Sequence, residues 1–193
     1  MRAFIAVSLP ADLKAKLANL QQAFRHLPVE AAWVKDAGFH ITLKFLGEID
    51  PAQVASVSAC MIEAAEGCRP FTITLAGVGV FPHESRPRVL WVGIQDDSGQ
   101  LVRLQRTLDA KLAEIGFQPE DRPFTPHLTL ARLKRVVRRG EFLACVNRHR
   151  ETTIGAVQVE HLDLLESQLH PAGARYLTVR TVELTKPSGH STV

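Results

Sequence analysis

The chain has little cysteine: Cys60, Cys68 and Cys145 are the only three in 193 residues. An odd number with no Cys-x-x-Cys spacing supplies neither a disulfide framework nor a thiolate metal site, and points to a reducing compartment. Long apolar runs are missing too. The first one, Phe4 to Leu9, stops at Pro10 and is too short for a secretory signal, and no run approaches the roughly 20 residues a membrane helix needs. The expected location is therefore cytoplasmic, with no membrane partner. Excess charge is also lacking. A net charge of +3 permits an anionic ligand but is far from the basic surplus of a protein that holds nucleic acid by charge alone. There is no Gly-x-x-x-x-Gly-Lys-Ser/Thr loop and no Gly-x-Ser-x-Gly elbow, which argues against nucleoside-triphosphate hydrolysis and serine-hydrolase chemistry.

What is present is a pair of related stretches: Phe39-His40-Ile41-Thr42-Leu43-Lys44-Phe45-Leu46-Gly47 and Pro126-His127-Leu128-Thr129-Leu130-Ala131-Arg132. Each alternates polar and apolar residues as a strand does. That periodicity puts His40, Thr42 and Lys44 on one face with Ile41, Leu43 and Phe45 on the other. In the second stretch His127 and Thr129 share the polar face. Strict alternation turns Arg132 away from His127, so a twist or bulge is needed to bring it back.

Around these strands the pattern runs in a repeating order. Phe4 to Leu9 reads as a buried strand, and Leu13, Leu17, Leu20 and Phe24 recur at helical spacing. Ala32 to Lys35 reads as a connector. Asp50 and Pro51 read as an N-cap and first-turn proline for a helix to about Gly67. Phe71 to Phe81 and Arg88 to Ile94 read as strands. Asp97 and Ser98 are candidate caps for a helix with a Leu101, Leu104, Leu108, Leu112 stripe. A short helix is expected over Glu141 to Asn147, and strands over Ile154 to Val159, Leu162 to Leu169 and Arg175 to Leu184.

Strand, helix, His-Thr strand, helix, strand thus occurs at 4–81 and again at 89–159, followed by closing strands at 161–184. Residues 1–185 are expected to form one bilobal domain, and 186–193 a frayed tail. Two similar lobes related by an approximate two-fold axis would set His40 and His127 facing each other across a cleft. Both lobes read as complete, so a monomer is expected.

Two facing imidazoles suit hydrolysis at phosphorus. With an ordinary pKa of ~6.5, one can accept a proton from water while the other supplies one to the departing oxygen. The Thr42 and Thr129 hydroxyls can donate to phosphoryl oxygens as charge grows there. Neither motif brings a second metal ligand to the same spot, so no metal and no cofactor is expected. Lys44 and the cluster Arg132, Lys134, Arg135, Arg138 and Arg139 are candidate contacts to an RNA backbone. Trp33, Phe45 and Phe124 flank the motifs and are candidates for stacking on a base.

The paired motifs, with the Phe4-Ile5-Ala6-Val7 opening, resemble the 2H phosphoesterases. Within them the chain is similar to the bacterial and archaeal RNA 2',3'-cyclic phosphodiesterases, also called 2'-5' RNA ligases. The resemblance implies an α+β bilobal fold in which two antiparallel-rich β-sheets line a central cleft with helices packed outside. It implies metal-independent hydrolysis of RNA 2',3'-cyclic phosphate ends, or of small cyclic nucleotides, to 2'-phosphomonoesters. His40 would donate a proton to the 3' oxygen and His127 accept one from water, with Thr42, Thr129 and Arg132 on the phosphate. Reversible 2'-5' joining of RNA ends would use the same site with a 5' hydroxyl in place of water as nucleophile. A different class of function, an RNA-end-binding module without turnover, predicts binding that survives loss of either histidine.

Overall fold

The computed structural model describes residues 1–168, 170 and 174–185; the expected tail at 186–193 and most of the turn after Leu169 lie outside the described residues. The elements are β1 (Arg2–Ser8), α1 (Ala11–Arg25), β2 (Val29–Trp33), β3 (His40–Glu48), α2 (Val54–Ala65), β4 (Phe71–Phe81) and β5 (Val89–Gln95), then α3 (Gln100–Glu114), β6 (His127–Val136), α4 (Arg139–Arg148), β7 (Thr153–Val159), β8 (His161–Gln168) and β9 (Arg175–Glu183). All strand pairs are antiparallel, in a four-stranded sheet of order β3-β1-β8-β9 and a five-stranded sheet of order β2-β6-β5-β4-β7.

Local chemistry accounts for most of the elements. β1 is a central strand covered on both sides, so its apolar run needs no polar alternation. Ile5 and Val7 join the main core, while Phe4 and Ala6 form a small cluster with Leu165 and Tyr176 on the other face. α1 buries Leu13, Leu17, Leu20 and Phe24 at helical spacing, with Gln21 among them. Asp50 and Gln53 close a capping box ahead of α2, with Pro51 in the first turn. Of the expected pair at the start of α3, Ser98 does accept a helix N–H, that of Gln100 at 3.2 Å, while Asp96 rather than Asp97 supplies the carboxylate, accepting the Leu101 N–H at 2.7 Å.

β2 corrects the expected connector. Val29, Ala31 and Trp33 are half-buried and Glu30 and Ala32 exposed, and the five pair with β6 from Val29↔Val136 to Trp33↔Ala131. The strand exists because β6 offers it an open edge.

The two sheets are related in order: β3, β1, β8 and β9 correspond to β6, β5, β4 and β7. Neither sheet comes from one contiguous half of the chain. β4, which follows the first His-Thr strand, sits beside β5, and β8 returns to sit beside β1. The stretches 4–81 and 89–159 are therefore not the two sheets. The helices exchange as well: α3 and α2 pack over the sheet holding β1 and β3, and α1 and α4 over the sheet holding β5 and β6. Each half thus completes the other. The motif strands β3 and β6 come into contact where the sheets meet.

Candidate active site

Cross-strand partners share a face of a sheet, so register tells where each motif residue points. In the first sheet Ser8 pairs with His40, Ala6 with Thr42 and Phe4 with Phe45, whereas Val7 pairs with Ile41 and Ile5 with Lys44. Leu43 is the extra residue of a bulge. After it the alternation reverses, so His40, Thr42 and Phe45 share the face away from the helices and Lys44 turns inward.

The second sheet repeats this step. Gly93 pairs with His127, Trp91 with Thr129 and Val89 with Arg132, while Val92 pairs with Leu128 and Leu90 with Ala131. Leu130 is the extra residue here. The bulge supplies what strict alternation denied: Arg132 lies on the same face as His127 and Thr129. Arg132 and Phe45 occupy twin positions, as do buried Ala131 and buried Lys44.

Lys44 therefore does not lie on the histidine face, which corrects the expectation built on regular alternation. It is 3% exposed. Its ammonium is 2.6 Å from Asp109 on α3, donates to the Gln118 carbonyl at 2.6 Å and lies 3.5 Å from Glu120. Trp33 is likewise elsewhere. Paired with Ala131, it lies on the helix side, packs on the main core and has the Arg25 guanidinium 5.1 Å from its ring centre. Phe124 also packs against that core. Of the expected stacking residues only Phe45, 58% exposed, shares a face with a motif histidine.

Each imidazole has the carbonyl of the residue two places back beside it. His127 Nδ1 donates to the Thr125 carbonyl at 2.8 Å; a carbonyl only accepts, so Nδ1 carries a proton and Nε2 is left for chemistry. The Gly38 carbonyl, again two residues back, faces the His40 ring and raises its proton affinity. Aromatic rings pack each ring in place. His40 lies 4.7 Å from the ring of Phe4 and 5.1 Å, edge-on, from Tyr176, and His127 lies 5.0 Å, edge-on, from Phe81. Phe81 in turn lies 5.0 Å from Trp91, whose buried indole N–H has no partner among the described residues. Burial drives the His40 pKa from its usual 6.5 down to about 4, with the Gly38 carbonyl opposing and Lys14 adding to the fall. Unliganded His40 is neutral at pH 7.

The Thr42 and Thr129 hydroxyls and the Arg132 guanidinium make no hydrogen bond or ion pair with any described residue. On one face of each sheet the structure therefore gathers an imidazole and an uncommitted hydroxyl, joined in the second sheet by an uncommitted cation. Among the described residues no group of His, Cys, Asp or Glu side chains is arranged to hold a metal ion, and no helix is long and apolar enough to cross a membrane.

Sequence reasoning passed over Gln21, Tyr176, Phe81 and Trp91. Gln21 carried a signal, being four residues after Leu17 on the apolar stripe of α1. The three aromatic residues come from distant strands and carried none.

The family model described as LigT like Phosphoesterase matches this chain twice in succession, over residues 7–91 and 92–176, so each match contains one His-x-Thr motif. A relative from Methanothermobacter thermautotrophicus, described as an RNA 2',3'-cyclic phosphodiesterase, is 30% identical across 95% of this chain and 99% of its own length. Among solved structures, TT0787 of Thermus thermophilus superposes with a TM-score of 0.81 at 30% identity, covering 97% of this chain and all of that one. E. coli LigT complexed with 3'-AMP superposes with a TM-score of 0.76 at 26% identity, covering 95% of this chain and 98% of that one.

Proposed function

Because this chain belongs to the LigT-like phosphoesterases, we propose that it hydrolyses 2',3'-cyclic phosphate ends of RNA to 2'-phosphomonoesters, using His40 and His127 and no metal. The observation that carries the reading is the matched pair: two imidazoles, each beside the carbonyl two residues back and packed by aromatic rings, and each followed on the same face by an uncommitted threonine hydroxyl.

Nε2 of His127 takes a proton from water as the water oxygen attacks phosphorus. The bond from phosphorus to O3' breaks, and His40 gives O3' its proton, so the phosphate stays on O2'. Thr42 and Thr129 donate to the non-bridging oxygens, and Arg132 balances the charge that grows on them. His40 is neutral in the empty site, so its acid form is created on binding: a phosphodiester anion beside it favours the imidazolium and offsets burial. With a ribose 5' hydroxyl in place of water as the nucleophile, the same groups support 2'-5' joining. The protein acts as a cytoplasmic monomer in this reading.

The deciding assay is turnover of a short RNA ending in a 2',3'-cyclic phosphate, in excess chelator, by the wild type, His40→Ala and His127→Ala. Expected is a 2'-phosphate product from the wild type and a fall of about 10²–10⁴-fold in each variant, the usual range for a general acid or base. Binding without turnover by the wild type, undiminished in both variants, would instead establish an RNA-end-binding module.

A further inference from the structure

The loop between β4 and β5 packs against the far end of β6. The Leu133 N–H donates to the Arg88 carbonyl at 2.8 Å, Arg88 Nη1 to the Lys134 carbonyl at 3.3 Å, and Arg139 Nη1 to the Ser85 carbonyl at 2.9 Å. These contacts shape a shallow groove of about 350 Å³. Arg86, Arg88, Lys134, Arg135 and Arg139 line it, all of them exposed, and no acidic side chain does. For a chain whose net charge is only +3, that is a local concentration of one sign. Two of the guanidiniums are held by backbone carbonyls, so their charge is pre-positioned and carries little ordering cost on binding. Two acids stand at its rim: Glu30 is 3.9 Å from Arg135, itself one of the lining cations, and Glu141 is 3.2 Å from Arg138.

The groove begins just beyond the motif on β6, where Lys134 and Arg135 follow Arg132. Arg132 shares a face with His127 and Thr129, and Val89, its partner on β5, directly follows Arg88. At ~3.3 Å per strand residue, Thr129 to Lys134 spans roughly 15 Å, the reach of a short oligonucleotide rather than of one nucleoside phosphate. On an RNA strand a 2',3'-cyclic phosphate can only be the 3' end, so the rest of the strand leaves the site on its 5' side.

We infer that this groove is the track for the phosphates on the 5' side of the reacting end, which makes the substrate a single-stranded RNA terminus rather than a cyclic mononucleotide. The inference rests on the proposed cyclic phosphodiesterase reading. Each phosphate that enters neutralises a fixed cation and releases counterions, so binding depends on salt and chain length but little on sequence.

The test compares the wild type with the double variant Lys134→Glu/Arg135→Glu on two substrates: a cyclic mononucleotide, and an RNA hexamer ending in a 2',3'-cyclic phosphate. The wild type is expected to prefer the hexamer by at least about tenfold in kcat/KM at low salt. The double variant is expected to lose most of that preference and to flatten the slope of log kcat/KM against log salt by about 0.7 for each lost contact, while the mononucleotide rate stays within about twofold. Equal loss on both substrates, or no preference in the wild type, overturns the groove and leaves the phosphodiesterase reading intact. If the wild type turns over neither substrate, that reading fails, and the groove is judged by anisotropy of a labelled RNA hexamer bearing a 3'-phosphate. Salt-sensitive binding that the double variant weakens about tenfold or more upholds it, and binding equal in both proteins overturns it.

Discussion

The side-chain amide of Gln21 donates to the Leu130 carbonyl at 2.8 Å. Leu130 is the bulged residue that turns Arg132 back to the face of His127. The same amide reaches the Val34 carbonyl at 2.8 Å, and the Val34 N–H meets the Leu130 carbonyl at 3.0 Å. Gln21 is 1% exposed, and its carbonyl oxygen accepts from Arg25 at 3.2 Å. A bulge breaks a ladder and leaves backbone groups to satisfy, and here a buried glutamine on α1 satisfies them. Gln21→Leu keeps the apolar volume and removes both donors. It should cost about 1–3 kcal/mol of stability, read as a lower Tm, for leaving buried carbonyls short of partners. It should also lower kcat more than ten times further than Gln105→Leu, a buried glutamine replacement on α3. Equal effects of the two substitutions on kcat would show that Gln21 does not position the second motif.

In the first sheet the bulge turns Lys44 into the protein, onto Asp109. Breaking such a pair on one side leaves a buried charge uncompensated, at a typical cost of about 3–5 kcal/mol. Lys44→Met should therefore lower the denaturation midpoint strongly, and Lys44→Met/Asp109→Leu should recover part of the loss. Neither change should alter the salt dependence of RNA turnover. A flattened salt slope for Lys44→Met would return the residue to the phosphate-binding role that regular alternation suggested.

That contrast marks what the sequence makes legible. A two-residue period identifies β3 and β6 as strands and puts His40 with Thr42 and His127 with Thr129, because these pairs precede the bulges. A bulge leaves no mark on such a pattern, so Lys44 and Phe45 exchange faces and Arg132 changes side without any local signal. The cap ahead of α2 is readable because Asp50 directly precedes Pro51. The exchange of β4 and β8 between sheets is not readable, since it depends on which distant edges pair. β2 is too short to show a period and owes its existence to the edge of β6.

Burial of His40 predicts a pH signature. Its pKa of about 4 lies below the usual 6.5, so the unfolded chain takes up this proton before the folded one as pH falls. Stability from this group is complete above pH 6.5 and is lost on acidification down to about 4, by at most about 1.4 kcal/mol per pH unit. The acid limb of kcat/KM, which reports the free enzyme, should lie near pH 4, because one histidine must be charged and the other neutral whichever plays the acid. In kcat the limb should move up, since the bound phosphate anion restores proton affinity to His40. An NMR titration of the His40 ring reads the same quantity directly. A ring titrating near 6.5 without ligand would remove the basis for both shifts.

Arg132 and Phe45 hold twin positions after the two bulges, and their chemistry separates their expected roles. Charge accumulates on the non-bridging oxygens in the transition state, and only a cation or a donor can respond to it. Arg132→Gln should therefore lower kcat by about 10²-fold or more, as should Thr129→Val, which removes a hydroxyl no described residue engages. Phe45 offers an exposed ring with no charge to give. Phe45→Ala should raise KM for base-bearing substrates by about tenfold, the scale of one stacking contact, while leaving kcat within a factor of about two. Steady-state kinetics of the three variants on one cyclic phosphate substrate checks all three expectations together. If Phe45→Ala lowers kcat as much as Arg132→Gln, the two twin positions share the work of positioning, and the separate assignment of charge balance to Arg132 fails.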